Sequence, residues 1–157
     1  MSIPSMSEVR VQTDDFDLGE ELARLRAGQP GLGAVVSFVG TVRDMNDGSA
    51  VSAMELEHYP GMTEKALADI VDQANARWPL LGALVIHRVG PLLPLEQIVL
   101  VACGAAHRGE AFAACEFIID YLKTDAPFWK KEQTPEGARW VDARDSDDSA
   151  KAKWAAR

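Results

Sequence analysis

The sequence predicts an α+β fold: a sheet of mixed or antiparallel pairing with helices packed on it in two layers. Three observations carry this. Strand-like and helix-like segments interleave along the chain, so neither class accounts for it alone. Several strand segments alternate in polarity, which implies a sheet with one wet face rather than a fully buried parallel sheet. The chain has 157 residues, 47% hydrophobic and 25% charged, enough for one ordinary domain with a real core and no need of disulfides or metal.

The elements follow in order. Asp17 with Glu20 forms a capping pair, and Leu18, Leu22 and Leu25 fall on one helical face until Gly28 and Pro30 end the run. Residues 33–42, GAVVSFVGTV, read as a strand rich in β-branched residues, and 44–49 as a polar loop. In the strand expected over 51–59, Met54 and Leu56 alternate with Glu55 and Glu57. After the Pro60-Gly61 turn, Thr63 is placed to cap a helix whose apolar positions are Ala66, Leu67, Ile70, Val71, Ala74 and Trp78, stopped by Pro79. Strands are expected over 83–89 and 97–105. A third helix runs over 109–123, with Phe112, Cys115, Ile118, Ile119 and Leu122 as its apolar face. Residues 128–133 and 138–143 make a hairpin about the turn 134–137. Residues 1–16 are expected to be a variable lead-in, 17–144 a single α+β domain, and 145–157 a tail anchored by Trp154.

Charge and motifs exclude several functions. Lys plus Arg number 16 and Asp plus Glu 24, a net charge of −8, which argues against a general nucleic-acid binder while allowing a local basic pocket. The longest uncharged stretch, 27–42, is broken by glycines and a proline and cannot span a membrane. Residues 1–8 have neither a basic nor an apolar leader region, so a cytoplasmic location is expected. Cys103 and Cys115 form no CxxC pair, no His/Cys cluster has zinc spacing, and both thiols are expected to be buried. Gly31-Leu32-Gly33 lacks the third glycine of a dinucleotide loop, since Val36 stands there. His58 and His87 are read as structural.

One constellation remains. His107 and Arg108 stand between an apolar strand and a helix start, where free N–H groups and the helix dipole favour an anion. Lys123 falls in the last turn of that helix, where a cation is also good helix chemistry. Lys130 shares a strand face with Glu132, while Lys131 points the other way. Arg43 follows the first long strand. Together they suggest a cationic pocket for a phosphate-bearing small molecule, with a lysine as base or nucleophile if burial or neighbouring cations lower its pKa.

Four blocks, in order, are similar to the catalytic (large) subunit of molybdopterin synthase. They are Leu56-Glu57-His58-Tyr59-Pro60-Gly61-Met62-Thr63, Ile86-His87-Arg88-Val89-Gly90, Ala106-His107-Arg108, and the thirteen residues from Asp120 to Glu132, DYLKTDAPFWKKE. The resemblance runs from about Gly33 to Trp154. It implies an α/β-hammerhead-like fold with a small β subdomain, and a sulfurtransferase of molybdenum cofactor biosynthesis. Its partners would be a second copy and a small ubiquitin-like carrier with a C-terminal Gly-Gly thiocarboxylate, forming a heterotetramer. Sulfur would pass from the carrier to cyclic pyranopterin monophosphate, giving the dithiolene of molybdopterin, with no metal and no resident cofactor. By the same resemblance Lys123 and Lys130 are catalytic. Thr41, Val42, Arg43, His107, Arg108, Lys131 and Glu132 match substrate-contacting positions, and Arg144 contributes from the tail side or across the dimer. A docking module for the carrier, without chemistry, is the alternative.

Overall fold

The computed structural model describes residues 6–46, 49–50, 52–141 and 145–155. The main sheet is four-stranded, in the order β1-β6-β8-β2, formed by β1 (Met6–Gln12), β6 (Leu80–Arg88), β8 (Gln97–Ala105) and β2 (Ala34–Thr41). β1 pairs parallel with β6, and the other two pairings are antiparallel. A second four-stranded sheet has the order β10-β9-β5-β7 and is antiparallel throughout. It comprises β10 (Gly137–Val141), β9 (Phe128–Thr134), β5 (Ala53–His58) and β7 (Gly90–Leu92). This is the expected α+β class with its small β subdomain. A short ladder of β3 (Met45–Asn46) with β4 (Ser49–Ala50) replaces the loop expected over 44–49.

The pleat sorts the strands' side chains into two cores. Ala83 and Val85 of β6 and Val99, Val101 and Cys103 of β8 face α2 (Met62–Arg77) and α3 (Arg108–Asp125), meeting Leu67, Ile70, Val71, Phe117 and Ile118. Leu84, Ile86, Leu100 and Ala102 face the other way, against Phe16 and Leu25 beside the short helix α1 (Leu18–Arg26), which adds a partial third layer. Asp17 caps α1 by accepting from the Glu20 N–H at 2.9 Å, as its spacing with Glu20 suggests. The small sheet has its own cluster of Val42, Met54, Leu56, Val89 and Leu92. The alternation of Met54 and Leu56 inward with Glu55 and Glu57 outward is as read from sequence.

Four expectations change. The lead-in over 1–16 contains β1, whose Val9 and Val11 pack on the main core. Thr63 is not the cap of α2, which is Gly61; instead its buried hydroxyl accepts from the Tyr59 N–H and donates to the Pro127 carbonyl, both at 3.0 Å. Phe112 is 61% exposed, while Phe117, one position outside the expected stripe of α3, is fully buried. The tail carries α4 (Asp145–Ala152), and Trp154 is its anchor: 2% exposed, edge-on to Trp78 and Phe117, with its Nε1–H donating to Asp120 at 2.7 Å.

Candidate active site

β8 and α3 form a compact reversal. The chain leaves β8 at Ala105, and α3 then runs back along the sheet, so that the Cys115 thiol reaches the Val101 carbonyl at 3.6 Å. Both cysteines are buried, as expected, and burial beside the other sulfur pushes the Cys103 thiol well up. The reversal brings Lys123, in the last turn of α3, to the end of the sheet where β6 terminates at His87 and Arg88. The chain then crosses through Asp125-Ala126-Pro127 into β9 of the small sheet.

The pairing of β9 with β5 fixes how its residues face. Phe128 stands opposite His58, Lys130 opposite Leu56, and Glu132 opposite Met54. Leu56 and Met54 are core residues, so Lys130 and Glu132 lie on the inward face, with Glu132 only 5% exposed. Lys131 stands opposite Glu55 on the outer face. The sharing of a face by Lys130 and Glu132, read from period two alone, is what the ladder shows.

His87 lies at the centre of this end. Its ring is buried and stacked on Phe128, centroids 3.8 Å apart and planes 18° from parallel. Its Nδ1 is 2.9 Å from the Arg88 carbonyl. A carbonyl only accepts, so Nδ1 carries the proton and Nε2 the lone pair. Burial holds the imidazole down at about 4, against an ordinary 6.5. The bond to the Arg88 carbonyl opposes this, and the positive charges of Lys123, Lys130 and His58 add to the lowering. His87 is therefore neutral at physiological pH, within the field of both lysines. The constellation assembled from sequence omitted it, because a histidine on an apolar strand gives no signal of its own.

Thr41, Val42 and Arg43 reach the same end of the sheet. Thr41 pairs with Gln97, the first residue of β8, after a register shift at Gly40 and Thr41. Gly40 is required there, since a Cβ would lie 2.8 Å from Val99 Cγ1. The shift turns Val42 into the small sheet's core and leaves Thr41 and Arg43 exposed. The Val42 N–H donates to the Glu96 carbonyl at 3.0 Å, and the Val42 carbonyl accepts from the Leu95 N–H at 2.9 Å. With its side chain buried and its N–H taken, Val42 positions its neighbours. Behind it, buried Arg88 donates to the Gln97 and Thr13 carbonyls and pairs with Glu96 at 3.4 Å, tying this loop to β6.

His107 and Arg108 are placed elsewhere. His107 is the N-cap of α3, makes no side-chain cap bond, and is exposed, as is Arg108. Lys123 follows Arg108 by fifteen helical steps along α3, which at the helical rise is about 22 Å. One chain thus gathers Lys123, Lys130 and the Thr41–Arg43 loop toward one end and holds His107 and Arg108 at the other. Arg144 lies outside the described residues. Among the described residues, no group of His, Cys, Asp and Glu has the arrangement of a metal site.

This α+β fold, a mixed main sheet joined to a small antiparallel one, is that of a known class, as comparison with known proteins shows. The family model described as MoaE protein matches residues 11–125, and the chain belongs to that family. It is 72% identical over 149 residues to the molybdopterin synthase catalytic subunit of Ralstonia nicotianae, covering 95% of this chain and 85% of that one. Among solved structures, the molybdopterin biosynthesis MoaE protein of Burkholderia ambifaria superposes with a TM-score of 0.82 at 62% identity, covering 96% of this chain and 99% of that one. Molybdopterin synthase from Staphylococcus aureus gives 0.77 at 34% identity, covering 85% and 96%.

Proposed function

We propose that this protein is the catalytic subunit of a molybdopterin synthase. It moves sulfur from the C-terminal thiocarboxylate of a small ubiquitin-like carrier onto cyclic pyranopterin monophosphate, forming the molybdopterin dithiolene. The observation that carries the reading is that the charges of both Lys123 and Lys130 act on neutral, buried His87, in a chain whose high-identity relatives bear that function in their names. Lys123 acts as general acid or base, or on the thiocarboxylate carbonyl, and Lys130 stabilises developing negative charge. As each sulfur leaves the carrier, a water oxygen takes its place and the carrier departs as a carboxylate. Arg43 and Thr41 contact the anionic substrate, with Arg43 offering a fork of donors to phosphate. Lys131, on the outer face of β9, contributes at the rim and Glu132 beneath it. The reading calls for no resident cofactor and places the protein in the cytoplasm. Among the described residues no helix is long and apolar enough to cross a membrane.

The separation along α3 adds a requirement. If His107 and Arg108 hold substrate in the lysine site, they come from a second copy, since their own chain keeps them about 22 Å from Lys123. A two-fold dimer supplies this twice, one shared site at each end, and a carrier at each end completes a heterotetramer. The test is reconstitution with cyclic pyranopterin monophosphate and thiocarboxylated carrier, following dithiolene pterin as its fluorescent oxidised derivative. Product is expected only with the carrier present. Lys123→Ala should lower turnover by about 100-fold or more, the range of a lost acid–base group, with carrier binding kept. Wild-type yield from Lys123→Ala, or carrier binding without any product from the wild type, would favour a docking module instead.

A further inference from the structure

The two lysines belong to different bodies of the fold. Lys123 rides on α3, which packs on the main sheet, and Lys130 is part of the small sheet. Their mutual geometry depends on how the two sheets are joined. The covalent links include the β6–β7 crossing at Val89, the β7–β8 loop over 93–96, the turn 59–61 from β5 into α2, and the segment 125–127. One side-chain joint is the stack of His87, near the end of β6, on Phe128, the first residue of β9, and Val11 and Ile98 also pack on both cores. Phe128 packs against both the main core and the small sheet's core. Its pose is set from three sides: His87 stacks on its ring, His58 stands opposite it across the ladder, and Thr63 holds the carbonyl of Pro127 just before it. His87 in turn cannot rotate freely, because its Nδ1–H is committed to the Arg88 carbonyl. Lys130 follows Phe128 by two residues on the same face.

We propose that His87 is a positioning residue. Through its stack on Phe128 at the joint between the sheets, it sets where Lys130 stands relative to Lys123. The inference rests on the sulfur-transfer reading for its effect on turnover, though its structural half stands without it. Histidine suits the place because one ring edge can be pinned to a carbonyl while the face stacks. The groups whose charge acts on it are Lys123, Lys130 and His58. The neutral ring adds no third positive charge beside the lysines.

The test compares His87→Leu, which removes the stack, with His87→Phe, which keeps it and gives up the bond to Arg88. With the full chain and thiocarboxylated carrier, His87→Leu should lower kcat by about tenfold or more and leave KM for the pterin within about twofold, because misplacement of a reacting group by a fraction of an ångström is felt in the chemical step. His87→Phe should recover most of the loss. In parallel, the ¹³Cε resonances of Lys123 and Lys130 in labelled, substrate-free protein should move in His87→Leu and stay near wild type in His87→Phe. Should His87→Leu fail to fold, Phe128→Leu removes the same stack from the other side. Equal losses in the Leu and Phe variants, or unmoved lysine resonances in the Leu variant, overturn the proposal. A wild type that yields no product overturns the sulfur-transfer reading instead, and the lysine resonances then decide the positioning role alone.

Discussion

The two ends of α3 differ in how they are held. Near the C-terminal end Asp125 pairs with Lys151 at 2.6 Å, Asp120 accepts from Trp154, and Tyr121 stacks on Phe117 at 4.3 Å, while Lys123 is itself exposed with its charge acting on buried His87. At the N-terminal end the helix projects His107, Arg108 and Phe112 into solvent. Helix chemistry makes both ends attractive to charge, but with opposite sign. The cation at the tied end satisfies its own helix. Arg108 at the open end sits where the dipole opposes a positive charge, and an anion bound there would make that arrangement favourable. On the function proposed above, the difference teaches that one chain carries the reacting half of a site at the held end and offers the anion-binding half, at the open end, to a second copy.

The sharpest way to break this comparison is complementation. Lys123→Ala and Arg108→Ala should each be inactive alone. If a second copy completes the site, a mixed dimer regains one intact site, so an equimolar mixture that exchanges subunits should recover roughly a quarter of wild-type activity by two-fold symmetry. No recovery, with exchange demonstrated, would place all the groups of one site on one chain. Trp154→Ala probes the tied end by unpinning the tail; it should cost about 3 kcal/mol, as for other buried aromatic truncations, read by denaturant unfolding. The kcat of the remaining folded protein should change little, since α3 itself stays packed on the main sheet.

The pH dependence probes the joint. The His87 pKa is about 4 in the folded chain against 6.5 when free. Below pH 6.5 the unfolded chain takes up a proton that the folded chain refuses. This stabilising contribution is therefore full above about 6.5, falls as pH drops toward 4, and is level below that. The size is of the order of 3 kcal/mol. His87→Phe should flatten that part of the stability curve, and an unchanged curve would show that the ring titrates normally. The smallest effect is expected at α1, on the opposite face of the main sheet from α3: Asp17→Ala should cost about 1 kcal/mol through the lost cap, with activity unchanged.

Much of this was legible in the residues. The apolar run of β8 gave its bounds outright, the Met54/Leu56 alternation gave the inner face of β5, and period two along β9 separated Lys130 from Lys131. What escaped reading depends on distant partners. β1 looks like a lead-in because its seven residues become a strand only against β6. α4, DSDDSAKA, has almost no apolar stripe and is read only with the buried Trp154 that follows. Phe112 has the right spacing to be core, yet Ala111 and Phe117 take the buried face, since periodicity gives a stripe and not its centre. For the site, the pattern named the lysines. It did not separate them from His107 and Arg108, because residues close in sequence lie far apart once a long helix runs between them.

The parallel pairing of β1 with β6 also bears on how the chain is made. Met6 is joined in register to Gly82, and Gln12 to Arg88. At ribosomal rates of 5–20 residues per second, the first strand emerges roughly 4–15 seconds before its partner. During that wait Val9 and Val11 have no sheet to cover them. The alternating Glu8 and Arg10, which pair with each other at 3.0 Å in the finished fold, break up an otherwise sticky edge. β1, made well before β6, can take its place only once that strand is available, and until then its charges serve the nascent chain.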